Sequence, residues 1–76
     1  MIKPEDLHNL LSPEFDGAEI TIQDMTGTED HYEITVAWQG FQGMNLVNQH
    51  QLVNQSLKGP LGDGRLHAVK IKTITL

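Results

Sequence analysis

Tyr32, Ile34, Val36 and Trp38 alternate with Glu33, Thr35 and Ala37, an unbroken period of two that commits the middle of this chain to a β-strand. Apolar side chains of one parity need cover and those of the other do not, so this strand belongs to a sheet with one face on a core. A shorter alternation precedes it, with Ile20 and Ile22 set against Glu19, Thr21 and Gln23. The polar stretch from Met25 to Asp30 joins the two runs and holds one glycine, which predicts an antiparallel hairpin. A third alternation, from about Leu66 to Thr73, turns Val69 and Ile71 toward the core and Lys70 and Lys72 toward water.

Helical spacing fills the remainder. Lys3-Pro4-Glu5-Asp6 opens a first helix, because proline suits the first turn and the acids favour the positive end of the helix dipole. Leu7, Leu10 and Leu11 mark its inner face, and Ser12-Pro13 ends it. Gly40-Phe41-Gln42-Gly43 breaks the long strand. Beyond it Leu52, Val53, Ser56 and Leu57 have the spacing of a second helix's inner face, with Gln51, Asn54, Gln55 and Lys58 outside. Gly59-Pro60 and Gly62-Asp63-Gly64 then force a turn, with room for one irregular helical turn around Leu61. The predicted order is helix, strand, strand, helix, strand: an α+β fold with a three-stranded sheet and its helices on one face. Without repeat or linker, the 76 residues are expected to form one domain, 1–76. A chain of this length buries only about 60% of its unfolded surface, so a buried cofactor pocket is not expected.

Charge narrows the partners. Five basic residues against ten acidic ones leave a net charge of −5, which repels nucleic-acid backbones and anionic membranes. No apolar run approaches the roughly 20 residues needed to span a bilayer, and Met1 to Asp6 lacks a signal-peptide pattern, so the expected location is the cytoplasm. The absence of cysteine excludes disulfides, a thiol nucleophile and an iron–sulfur site built by this chain alone.

Four histidines remain as possible ligands: His8, His31, His50 and His67. His8 reads as a boundary residue of the first helix, and His50 sits at the start of the second, where a cap or a hydrogen bond explains it. His67 lies at the mouth of the last strand. Taken alone it is a histidine satisfied by backbone hydrogen bonds. His31 ends the hairpin loop, and if its strand runs in the same direction as the last one, the two imidazoles meet at one sheet edge. Two nitrogen ligands leave zinc or a cluster iron under-coordinated, so the remaining ligands would come from another molecule.

Other chemistry finds less support. Gly40-Phe41-Gln42-Gly43 has the G-x-x-G form of phosphate-cradling loops in KH-type RNA-binding domains, but its variable residues are not basic. The segment reads better as a strand-terminating turn with Phe41 as a core plug. A nucleic-acid interface, the alternative reading, would use Gly40, Gly43, Arg65, Lys70 and Lys72. The acid pairs Glu5-Asp6 and Glu29-Asp30 read as solvated. No catalytic triad, phosphate-binding loop, H-E-x-x-H or EF-hand spacing occurs, so no enzymatic activity is expected.

Phe41-x-Gly43-Met44, Leu52-Val53-Asn54, Leu57 and Arg65-Leu66-His67-Ala68-Val69-x-Ile71-Lys72 together resemble the BolA family of small stress-linked proteins, over residues 4 to 76. The resemblance implies a fold akin to type II KH domains and partnership with a monothiol glutaredoxin. In such a complex a [2Fe–2S] cluster is bridged by the glutaredoxin's cysteine and a glutathione on one side and by ligands of the BolA-like chain on the other. The family's histidine matches His67, and the ligand from the loop between the first two strands best matches His31. The isolated chain would then hold no cofactor and exist as a monomer or weak homodimer. Many relatives carry R-H-R where this chain has Gln49-His50-Gln51, which removes phosphate contacts from the region that DNA-binding members use.

Overall fold

A computed structural model describes all 76 residues. The order is α1 (Pro4–Leu11), β1 (Glu19–Asp24), β2 (His31–Trp38), a 3₁₀ turn (Gln39–Phe41), α2 (Leu46–Ser56), α3 (Lys58–Asp63) and β3 (Ala68–Thr75). β2 is the central strand. It pairs antiparallel with β1, from Glu19 opposite Ala37 to Asp24 opposite Tyr32, and parallel with β3, from His31 opposite Ala68 to Trp38 opposite Thr75. Parallel neighbours need a crossover, which the 3₁₀ turn, α2 and α3 supply. The starts of β2 and β3 therefore lie at one end of the sheet.

The expected alternation holds along β2. Tyr32, Ile34 and Val36 are fully buried, packed with Leu7 and Leu11 of α1, Phe15, Phe41, Val53 of α2, Leu57 and Leu66 in one hydrophobic cluster. The opposite face presents Thr21, Gln23, Lys70 and Lys72 to solvent. Trp38, half-buried, lies edge-on to Phe15 and Phe41, with ring centroids 5.1 and 5.2 Å away. Its indole N–H donates to the Asp16 carbonyl at 2.8 Å.

Several details differ from expectation. Leu10 is 39% exposed, leaving Leu7 and Leu11 as the inner face of α1. α2 starts at Leu46, capped by the Asn45 side chain, which accepts the Asn48 N–H at 2.8 Å, so His50 stands in the second turn and caps nothing. The helix is also rotated from the predicted face: Leu52 is 36% exposed while Gln49 is buried. Burial of Gln49 is tolerated because its amide N–H donates to the Met44 carbonyl at 2.9 Å and its Oε1 accepts the Thr73 hydroxyl at 2.6 Å. The glycine-rich turn after α2 folds as α3. Pro60 fits there because first-turn residues need no N–H partner, and Gly64 ends the helix at φ +85°. β3 begins two residues later than predicted, leaving Leu66 in the core and His67 just ahead of the strand.

Tyr32 ties the N-terminal segment to the sheet. Its hydroxyl donates to the Ile2 carbonyl at 2.6 Å, and the Ile2 N–H donates to the Glu29 carbonyl at 2.8 Å. Burial, followed by the negative charges of Asp24, Glu29, Asp30 and Asp6, raises the phenol above its ordinary 10.0. The folded state thus keeps a proton that the unfolded chain releases. This contribution is complete below about pH 10 and is lost as pH climbs through the raised value. Tyr32→Phe is expected to cost about 1 kcal/mol at neutral pH and to flatten the alkaline fall in stability. Urea unfolding of both proteins across that range checks this, and a Tyr32→Phe profile as steep as the wild type would refute it.

Candidate metal centre

The loop between β1 and β2 is held by its own side chains. Asp24 accepts the backbone N–H groups of Thr26 at 3.2 Å, Gly27 at 2.9 Å and Glu29 at 3.0 Å, an Asx-type scaffold that organises the turn. Gly27 at φ +77° and Glu29 at φ +59° take the left-handed conformations the turn requires. The loop closes with the Met25 N–H donating to the His31 carbonyl at 2.8 Å.

Asp30 ends this loop and joins it to the entry of β3. Its carbonyl accepts the His67 N–H at 2.8 Å and the Ala68 N–H at 3.2 Å. Its carboxylate lies between two imidazoles: Oδ1 is hydrogen-bonded to Nδ1 of His31 at 2.7 Å, and Oδ2 lies 3.1 Å from Nδ1 of His67. The Thr28 hydroxyl also donates to Oδ1. That hydrogen bond, followed by the one with His31, holds the Asp30 carboxyl below its ordinary 3.8, against the opposing effect of partial burial.

The two rings stand nearly perpendicular with centroids 6.0 Å apart. Their side chains are 41% and 58% exposed, whereas that of Asp30 is only 16% exposed. Asp30, His31 and His67 each offer one ligand atom, all within 4.8 Å of one another. Exposed, adjacent nitrogen donors beside a carboxylate suit a borderline metal that is reached from outside the chain.

The structure brings His31 and His67 together because β2 and β3 are parallel neighbours whose first residues are in register. His8 lies exposed on α1 and His50 within α2. Asp30, expected to be a solvated acid, is instead the residue that contacts both rings; the only signal for it in the sequence was its place directly before His31. The residues of the alternative nucleic-acid reading are divided. Gly40 and Gly43 follow the end of β2, and Arg65 precedes the start of β3, about 23 Å away along the strands at the usual rise per residue. Arg65 is moreover paired with Asp63, Nε to Oδ2 at 2.9 Å.

Comparison with known proteins bears on the family and the fold. Residues 12–76 match the family model described as BolA-like protein. A Rickettsia prowazekii protein, whose NMR structure is described as that of a BolA-like hypothetical protein, is 37% identical over 75 residues, covering 99% of this chain and 96% of its own length. Its structure superposes with a TM-score of 0.74. That of BolA1 from Arabidopsis thaliana superposes with a TM-score of 0.83 at 33% identity, covering 93% of this chain and 88% of that one. A Vibrio cholerae relative described as the DNA-binding transcriptional regulator BolA is 41% identical over 49 residues, which are 64% of this chain and 45% of that protein. The chain thus spans less than half of this last relative.

Proposed function

The chain belongs to the BolA-like protein family, and from that premise we propose that it is a non-enzymatic partner of a monothiol glutaredoxin, lending His67 and His31 to a shared [2Fe–2S] cluster. The carrying observation is the pair of exposed imidazoles whose ring centroids lie 6.0 Å apart at one sheet edge. The donor chemistry fits: two histidines suffice for one iron of a two-iron cluster, as in Rieske centres. With no cysteine in the chain, the second iron's ligands come from the partner, here the glutaredoxin cysteine and glutathione. When bound, the cluster supplies one-electron redox chemistry and a transferable iron–sulfur unit. The chain's own residues present two part-exposed nitrogen donors at one end of the sheet, where a partner can reach them. The role that follows is cytoplasmic iron–sulfur trafficking or the signalling of iron and redox status.

Mixing the chain with cluster-loaded monothiol glutaredoxin is expected to change the visible absorption and circular dichroism of the cluster. His67→Ala should leave the spectrum of the glutaredoxin alone. A His67→Ala protein that reproduces the wild-type change would sink the ligand assignment. Nucleic-acid binding, suggested by the description of the Vibrio cholerae relative, has less support here because Gly40 and Gly43 lie beyond the end of β2, Arg65 lies before the start of β3 and is paired with Asp63, only Lys70 and Lys72 stand together on β3, and the net charge is −5.

A further inference from the structure

Asp30 is not in the proposed ligand set, yet it is the residue that contacts both members of it. We infer that Asp30 is the positioning residue of this site: its carboxylate takes the Nδ1 side of both imidazoles, so that Nε2 of His31 and Nε2 of His67 are the atoms offered to a metal. A neutral imidazole carries one N–H and one lone pair. A carboxylate, which only accepts, selects the Nδ1–H tautomer and puts the lone pair on Nε2. Ligating histidines commonly hold their other ring nitrogen against a carboxylate in this way.

Asp30 is itself well fixed for the task. The Thr28 hydroxyl donates to Oδ1, the backbone carbonyl anchors the N–H groups of His67 and Ala68, and the side chain is only 16% exposed. The grip is unequal. His31 is hydrogen-bonded at 2.7 Å, whereas His67, at 3.1 Å, stands at ion-pair distance and is the more exposed ring. His31 is thus the pre-set ligand and His67 the adjustable one.

The assignment rests on the ligand reading above for its purpose but not for its first test, which uses the isolated chain. Long-range proton–nitrogen NMR at about pH 8 is expected to show the Nδ1–H tautomer for His31 and a raised share of it for His67, whose contact with Asp30 is the looser one. Asp30→Ala should return both to the Nε2–H form that imidazole prefers in water. In Asp30→Asn the amide oxygen stays beneath the Thr28 hydroxyl beside His31, and the amide nitrogen meets His67, so His67 alone is expected to change. Wild-type rings already in the Nε2–H form, or both rings unchanged in Asp30→Ala, would overturn the inference. In the cluster-bridged complex, Asp30→Ala should speed cluster loss by about tenfold or more, the usual scale for removing such a partner. The two readings fail separately: tautomers indifferent to Asp30 remove the positioning role alone, and a cluster spectrum indifferent to His67→Ala removes the ligand reading alone.

Discussion

Phe41→Ala is expected to destabilise the fold by about 3–5 kcal/mol, the range for deleting a buried aromatic ring. Phe41 has no exposed surface and lies among Phe15, at a centroid separation of 5.8 Å, and Trp38, at 5.2 Å. These are three of the four aromatic residues in the chain, and the cluster closes the end of the sheet away from the histidines. A domain of this size has a total stability of only about 4–11 kcal/mol, so one substitution removes a large fraction of it. Thermal unfolding should show a midpoint more than about 10 °C lower. Phe41→Leu keeps most of the volume and should cost far less. A Phe41→Ala midpoint within a few degrees of wild type would show that the cluster re-forms around the vacancy.

Gly40→Ala is expected to cost about 2–4 kcal/mol for a different reason, a collision in place of a cavity. A Cβ at residue 40 would stand 2.4 Å from two atoms of the Trp38 ring and 2.6 Å from a third, so the indole must move. Moving it disrupts its edge-on contacts with Phe15 and Phe41, each worth about 0.5–1.5 kcal/mol, and its hydrogen bond to Asp16, worth about 1 kcal/mol. Trp38 is the only tryptophan, so folded-state fluorescence reports the displacement directly. The same substitution in a Trp38→Ala background should be nearly neutral, and a double-mutant cycle isolates the coupling. Equal costs in the two backgrounds would rule out the collision. The first glycine of the G-x-x-G segment is therefore explained by packing against a tryptophan, without a phosphate ligand.

Elements with a clean period were legible in the residues. The alternation from Tyr32 to Trp38 corresponds to β2 and its buried face, and Pro4 with its following acids to the start of α1. Periodicity misleads where burial depends on satisfied polar atoms or on neighbours distant in the chain. Gln49 displaced Leu52 from the inner face of α2 because its amide finds partners on Met44 and Thr73, and neither is visible in a helical period. α3 formed through a run of breakers because Pro60 falls in its first turn and Gly64 only terminates it.

The residues alone sufficed for the three strands, for α1 and α2, for the absence of any thiol ligand, and for placing one histidine at the start of β2 and another close to the start of β3. Those properties are local, set by side-chain polarity at fixed backbone periods. That His31 and His67 share one end of the sheet follows from the packed fold and not from local pattern, because it needs β2 and β3 to be parallel, adjacent and in register across an intervening crossover. The packed fold alone also gave Asp30 its place between the rings. The carboxylate of a loop residue can be drawn from solvent only when partners from elsewhere in the chain replace the water it loses, and here the Thr28 hydroxyl and two imidazoles, one of them 37 residues further along, do so.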